Sequence, residues 1–204
     1  VGEITNRPAL IGGCPDAVGE LDHDDYLGAV VEGRDEELER VRLAVARRRP
    51  AAVCGVAGIG KSTLVGAVVA AHPAARVGQS LPALTHRSHH PWLQAFGWTA
   101  VPGGSPAVAA AVRGASRQDD LVVLEDLQWA DPGTLEVIAE LAGEHAVVCT
   151  VQQGSDGADA VLRLIESLDG EVVELGPLEP TVLAAAVRAA KPDLFDGEVR
   201  RLVD

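Results

Sequence analysis

The sequence predicts an α/β fold, a mostly parallel sheet covered by helices on both faces, from three observations. Short apolar runs recur at 51–54, 121–125, 146–151 and 171–175, and each is continuous rather than alternating, as strands buried on both faces require. Stretches with helical spacing separate them near 106–116, 133–143 and 158–168, the order that builds a parallel sheet through crossover helices. The chain has 204 residues and is 47% hydrophobic, enough to bury a sizeable core.

Taken in order, residues 1–28 mix Gly, Pro, Asp and His without a period and read as an irregular N-terminal arm. The core is expected over 29–178. It opens with a helix from Asp35, carrying Leu38, Val41 and Val45 on one side and acids before bases along its length, an order that opposes the macrodipole. Arg47–Arg49 are assigned to the end of that helix, with Pro50 as its stop. A strand at 51–54, a helix from about Lys61 and a weak strand at 76–80 follow. The segments "VPGGSP" (101–106) and "QQGSDG" (152–157) read as loops. Asp131 followed by Pro132 predicts a helix N-cap with proline at the first position. Residues 179–204 are expected to be the start of a helical lid, incomplete at the C-terminus.

Composition narrows the function. A net charge of −13 and a pI near 4.8 argue against nucleic-acid binding by this chain, which would need a clustered basic face. Cys14, Cys54 and Cys149 form no close-spaced pair, as in a reducing, cytoplasmic setting. No run of about 18 apolar residues and no basic leader ahead of an apolar stretch is present, so neither a membrane anchor nor an export signal is expected.

The stretch "GVAGIGKST" (55–63) sets three glycines within six residues directly before a lysine and two hydroxyls. Gly55, Gly60, Lys61 and Ser62 fit G-x-x-x-x-G-K-[ST], with an apolar strand before and a helical pattern after. Glycines allow successive N–H groups to turn inward around a phosphate, and the following helix adds its own unpaired N–H groups and positive dipole end. The phosphate-binding set is therefore Gly55, Ala57, Gly58, Ile59, Gly60, Lys61, Ser62 and Thr63, with Lys61 bridging the β- and γ-phosphates and Ser62 on Mg²⁺. In "LVVLEDLQWAD" (121–131) apolar residues run into two acids. Glu125 is assigned to the metal side and Asp126 to the attacking water, strand alternation pointing the two apart. His86, His89 and His90 have no nearby cysteine or acid and are not read as a metal site. Cys54 reads as a buried strand residue, and Trp129 either faces a partner or packs on the sheet rim.

These stretches resemble the STAND branch of the AAA+ P-loop ATPases, and within it the ATPase domains of large LuxR-type bacterial regulators. "VVEGRDEEL" (30–38) looks like that family's opening box, "GVAGIGKSTL" its phosphate loop, "HHPWLQAF" (89–96) its segment of proline and an aromatic ahead of a helix, "VVLEDLQWADPGTLEVI" its second acidic motif, and "VVELGPLEP" (172–180) the element closing its last core strand. The resemblance implies a cytoplasmic Mg²⁺–ATP/ADP switch with slow hydrolysis, acting in signalling or transcription control through a protein partner or self-association. It places Gly33 and Arg34 near the adenine or ribose and Pro177 against the base. Gln152 stands where the family often has an arginine that senses the γ-phosphate. Two alternatives remain at this point: a non-hydrolysing module that holds nucleotide as a structural ligand, and a small-molecule kinase with "THRSHH" as acceptor region.

Overall fold

The computed structural model describes residues 33–100 and 103–190, with side chains through 185. The N-terminal arm at 1–28, Cys14, residues 101–102 and most of the expected lid lie outside the described residues.

The chain alternates helix and strand: α1 (Asp35–Ala46), β1 (Ala51–Gly55), α2 (Lys61–Ala70), β2 (Arg76–Gln79), α3 (His90–Phe96), α4 (Ser105–Ala115), β3 (Leu121–Glu125), α5 (Pro132–Leu141), β4 (Ala146–Gln152), α6 (Ala158–Ser167), β5 (Glu171–Glu174) and α7 (Pro180–Ala190). Single 3₁₀ turns at Pro82–Leu84 and Leu127–Trp129 join β2 to α3 and β3 to α5. The strands form one five-stranded sheet in the order β2-β3-β4-β1-β5, and each of its four pairings is parallel. β4 thus lies between β1 and β3, so the strand leading into the glycine loop and the strand ending in two acids are separated by one strand.

Strand periodicity divides the apolar runs between two cores. Ala51, Val53, Leu121, Val123, Val148 and Val173 face α1 and α2, where Leu38, Val41, Leu64, Val65 and Val68 meet them. Ala52, Cys54, Val122, Leu124, Val147 and Cys149 face the opposite layer, with Trp92, Val112, Ile138, Leu141 and Ile165. β1 and β3 are buried along their whole length, which explains why their sequences are continuous apolar runs.

Asp131 is the N-cap of α5, as its sequence context predicts: it accepts the Thr134 N–H at 3.2 Å, and its other oxygen takes the Thr134 hydroxyl at 2.6 Å and the His89 N–H at 2.9 Å. The arginines at 47–49 behave differently from expectation. α1 ends at Ala46 with no basic residue in its last turn; Arg48 turns left-handed at φ 54, and Arg48 and Arg49 pair with Asp119 and Asp169. The three residues belong to the crossing into β1. Ser105 and Pro106, expected in a loop, are the first residues of α4, and Gln152 completes β4.

α3 covers β2 by direct backbone approach. A Cβ at Gly78 would stand 2.0 Å from the Pro91 carbonyl oxygen and 3.2 Å from the Ala95 nitrogen, atoms that cannot move without the helix. The variant Gly78→Ala therefore loses about 3 kcal/mol of stability, and its melting temperature falls by roughly 6–12 °C in thermal unfolding followed by circular dichroism. A melting temperature within about 2 °C of the wild type contradicts this packing.

Candidate functional site

The glycine loop leaves β1 at Gly55 and enters α2 at Lys61. Gly58 and Gly60 adopt φ 76 and 101, a region that side-chain-bearing residues rarely occupy. The first helical bond of α2 runs from the Leu64 N–H to the Gly60 carbonyl at 3.0 Å. The N–H groups of Lys61, Ser62 and Thr63 consequently lie in the unladdered first turn, and the cap residue, Gly60, has no side chain to satisfy them.

Lys61 is 8% exposed, and its ammonium donates to the Gly55 carbonyl at 3.1 Å and the Val56 carbonyl at 2.9 Å. The loop thus folds around its own cation. A cleft of about 370 Å³ opens over it, lined by Ala57, Gly58, Gly60, Lys61, Ser62, Thr63, Asp126 and Gln152. The topology accounts for this grouping, since β1, β3 and β4 are parallel and all end on the same side of the sheet.

Asp126 reaches the cleft through a turn rather than through strand alternation. It follows the last residue of β3 at φ 55, ψ 42, a left-handed conformation that aspartate tolerates better than most residues. Its N–H donates to Thr150 Oγ1 at 2.9 Å. Both carboxylate oxygens accept amide bonds, Oδ2 from Gln79 Nε2 at 2.9 Å and Oδ1 from Gln128 Nε2 at 3.1 Å. Glu125, the last residue of β3, is 4% exposed, and its carbonyl takes the Ser80 N–H at 2.9 Å. Asp126 lines the cleft and Glu125 is not among its lining residues; the left-handed turn at Asp126 sets the direction of the former.

A second cleft, of about 730 Å³, adjoins the first at Gly58 and is lined by Ile59, Pro177, Leu178, Glu179, Pro180 and Leu183. Its apolar walls suit a flat ring better than a phosphate chain. Gly33 and Arg34 hold the rear of this region. Arg34 is buried, pairs with Glu37 at 2.9 Å and donates to the Gly176 carbonyl, one residue before Pro177. Gly33 packs against Val182 of α7, where an added Cβ would lie 2.6 Å from Cγ1. A groove beside Trp98, bounded by Ala100, Ala111 and Ala115, carries no charged lining and does not suit a polyanion.

The two described thiols take no part. Cys149 is fully buried and its pKa is pushed up to about 12, chiefly by burial; Cys54 is raised too, by burial and then by Glu174. Both therefore stay protonated near neutral pH and are poor nucleophiles. His89 is committed to a buried network, its Nε2 3.1 Å from Ser105 Oγ, which donates to Glu136 Oε2 at 2.6 Å. Trp129 is 39% exposed at the end of its 3₁₀ turn.

Two glutamines escaped the sequence reading, Gln79 and Gln128. Gln128 lies inside the second acidic motif, "VVLEDLQWAD", but was passed over there in favour of the acids; Gln79 ends β2 and sits in no motif. Gln79 also receives the α3 layer, its N–H donating to Gln94 Oε1 at 2.8 Å.

No protein-family model and no curated protein sequence matches the chain. Solved structures do match it. A DNA replication initiation factor superposes with a TM-score of 0.55 and 19% identity, over 85% of this chain and 56% of its own. The replication initiator DnaA bound to AMPPCP and single-stranded DNA gives 0.52 and 18%, over 86% and 57%. A RuvB variant from Thermotoga maritima gives 0.55 and 14%, over 84% and 54%. The chain spans a little over half the length of each of these structures, which are AAA+ P-loop ATPases. The likeness establishes the fold: the α/β sheet of the P-loop NTPases.

Proposed function

We propose that the chain binds Mg²⁺–ATP and ADP in the cleft over the glycine loop and hydrolyses ATP slowly, as a regulatory switch in signalling or transcription control of the STAND, LuxR-type kind. The observation that carries this reading is the convergence of Lys61, Ser62 and Thr63 with Asp126 and Gln152 on one cleft, beside the apolar cleft at Pro177. The loop's left-handed glycines and the unladdered turn of α2 favour an anion, and the adjoining apolar walls favour a base. DnaA, on the same fold, was solved with AMPPCP.

In this reading the N–H groups from Ala57 to Thr63 hold the phosphates, and Lys61 neutralises the β–γ oxygens. Gly55 and Ile59 shape the loop, and Pro177 borders the base. Arg34 and Gly33 act from behind, through Gly176 and Val182, rather than by lying along the base cleft. Mg²⁺ would take the hydroxyl of Ser62, which lines the cleft, and the carboxylate of Glu125, the buried last residue of β3, is the oxygen donor assigned to support it; when bound it would offset charge on the phosphates. Asp126 orients a water at the γ-phosphate end, its carboxylate fixed by the two glutamine amides.

The partner is a protein or a second copy of the chain. Nucleic acid is not bound by this chain in our reading: Arg40, Arg48, Arg49 and Arg113 each pair with a carboxylate, which leaves them little charge to offer a phosphate backbone. A second reading, a nucleotide-bound interaction module without turnover, is favoured by Gln152, a neutral side chain at the γ-phosphate end of the cleft. Phosphate release under single-turnover conditions decides between them. Release that follows ATP binding supports the switch, and stable bound ATP over hours supports the module.

A further inference from the structure

Asp126 and Gln152 reach the cleft from different strands, and one side chain joins them. Gln128, 7% exposed, donates Nε2 to Asp126 Oδ1 at 3.1 Å and accepts the Gln152 N–H on Oε1 at 3.0 Å. The way the sheet ends explains the bridge. β3 and β4 pair from Leu121 with Ala146 to Leu124 with Cys149; at Asp126 the chain turns away, while β4 continues to Gln152. The end of β4 thus outruns its neighbour, and its peptide groups need partners from elsewhere. The adjacent Gln153 N–H points the other way, to the Gly55 carbonyl at 3.0 Å. The Gln128 amide replaces the missing strand on one side, and its opposite end rests on the carboxylate.

The seat of Gln128 is tight on the backbone side as well. A Cβ at Gly157, just before α6, would stand 2.2 Å from the Gln128 carbonyl oxygen. With its backbone wedged there and both ends of its side chain bonded, the amide is held in one orientation. The chemistry is specific, because one end must donate to a carboxylate while the other accepts from an N–H, and leucine of similar volume does neither.

We propose that Gln128 is a positioning residue of the phosphate site, locking the Asp126 carboxylate to the end of β4 from which Gln152 enters the cleft. Its consequence for phosphate chemistry rests on the nucleotide reading above; the bridge itself does not. Moving either strand end shifts the other, and without the amide Asp126 Oδ1 loses its tie to β4, leaving the carboxylate held by Gln79 Nε2 alone and the backbone by Thr150 Oγ1.

Two variants separate the two ends of the amide. Gln128→Leu removes both bonds, and Gln128→Glu keeps an acceptor for the Gln152 N–H while setting a carboxylate against Asp126. Amide hydrogen exchange by NMR should show the Gln152 N–H exchanging about tenfold faster in Gln128→Leu, with Gln153 unchanged, and Gln152 still protected in Gln128→Glu. Both variants should lower kcat for phosphate release by about tenfold with KM for ATP within about twofold. In an Asp126→Asn background, Gln128→Leu should cost nothing more. Unchanged Gln152 exchange in Gln128→Leu, faster exchange at Gln152 and Gln153 alike, or rate losses that multiply in the Asp126→Asn background would overturn the proposal. If the unaltered chain binds no ATP in calorimetry, the nucleotide reading fails, and the exchange pattern alone upholds or overturns the bridge.

Discussion

Lys61→Ala lowers the affinity for ATP by about 100-fold or more, the size expected from losing two charge-assisted contacts to phosphate. The substitution is clean in structural terms. Lys61 is the first residue of α2, where alanine is an excellent helix former, and the buried partners of its ammonium are the carbonyls of Gly55 and Val56. Those carbonyls face the cleft once the side chain is shortened, so water can reach them. The fold should survive, and far-ultraviolet circular dichroism should match the wild type. Calorimetric titration checks the affinity, and a value within about threefold of the wild type removes Lys61 from the phosphate site.

Asp126→Asn retains ATP binding within about threefold and slows phosphate release by about 100-fold, the lower end of what a positioned acid or base contributes. Asparagine keeps the shape and tolerates the left-handed turn, so φ 55 at this position is not disturbed. What changes is the donor and acceptor pattern. The Gln79 and Gln128 amides both donate to the carboxylate, and an amide at 126 turns one of those contacts into two opposed donors. Single-turnover phosphate release measures the effect; an unaltered rate would take Asp126 out of the mechanism.

Most of the framework was legible because burial on both faces leaves an unmistakable mark. Leu121–Glu125 and the apolar core of β1 and β4 stand where continuous apolar runs put them, and the Asp131 cap was readable from a dipeptide. The end of α1 was not. Three arginines after a helical pattern look like the last turn of a helix, but two of them, Arg48 and Arg49, pair across space with Asp119 and Asp169, partners more than 70 residues further along the chain. The site divides in the same way. The glycine loop is local, and its spacing carries its geometry. Asp126 was found by position, yet its direction comes from a left-handed turn that no strand periodicity encodes. Gln79 and Gln128 were missed because their role exists only once β2, β3 and β4 lie side by side. Arg34 was assigned to the neighbourhood of the adenine or ribose; its guanidinium bonds are to Glu37 and to the Gly176 carbonyl, one residue before Pro177, a long-range contact that the local sequence does not encode.

The most direct test of the central claim is calorimetric titration of ATP and ADP into the chain, with and without Mg²⁺. On the proposed reading, ATP binding is saturable at one site, strengthened by Mg²⁺ and weakened by about 100-fold or more in Lys61→Ala. No heat of binding for either nucleotide up to millimolar concentration, in a sample whose fold is intact, would contradict it, and the cleft over Lys61 would then be a tight turn without a ligand.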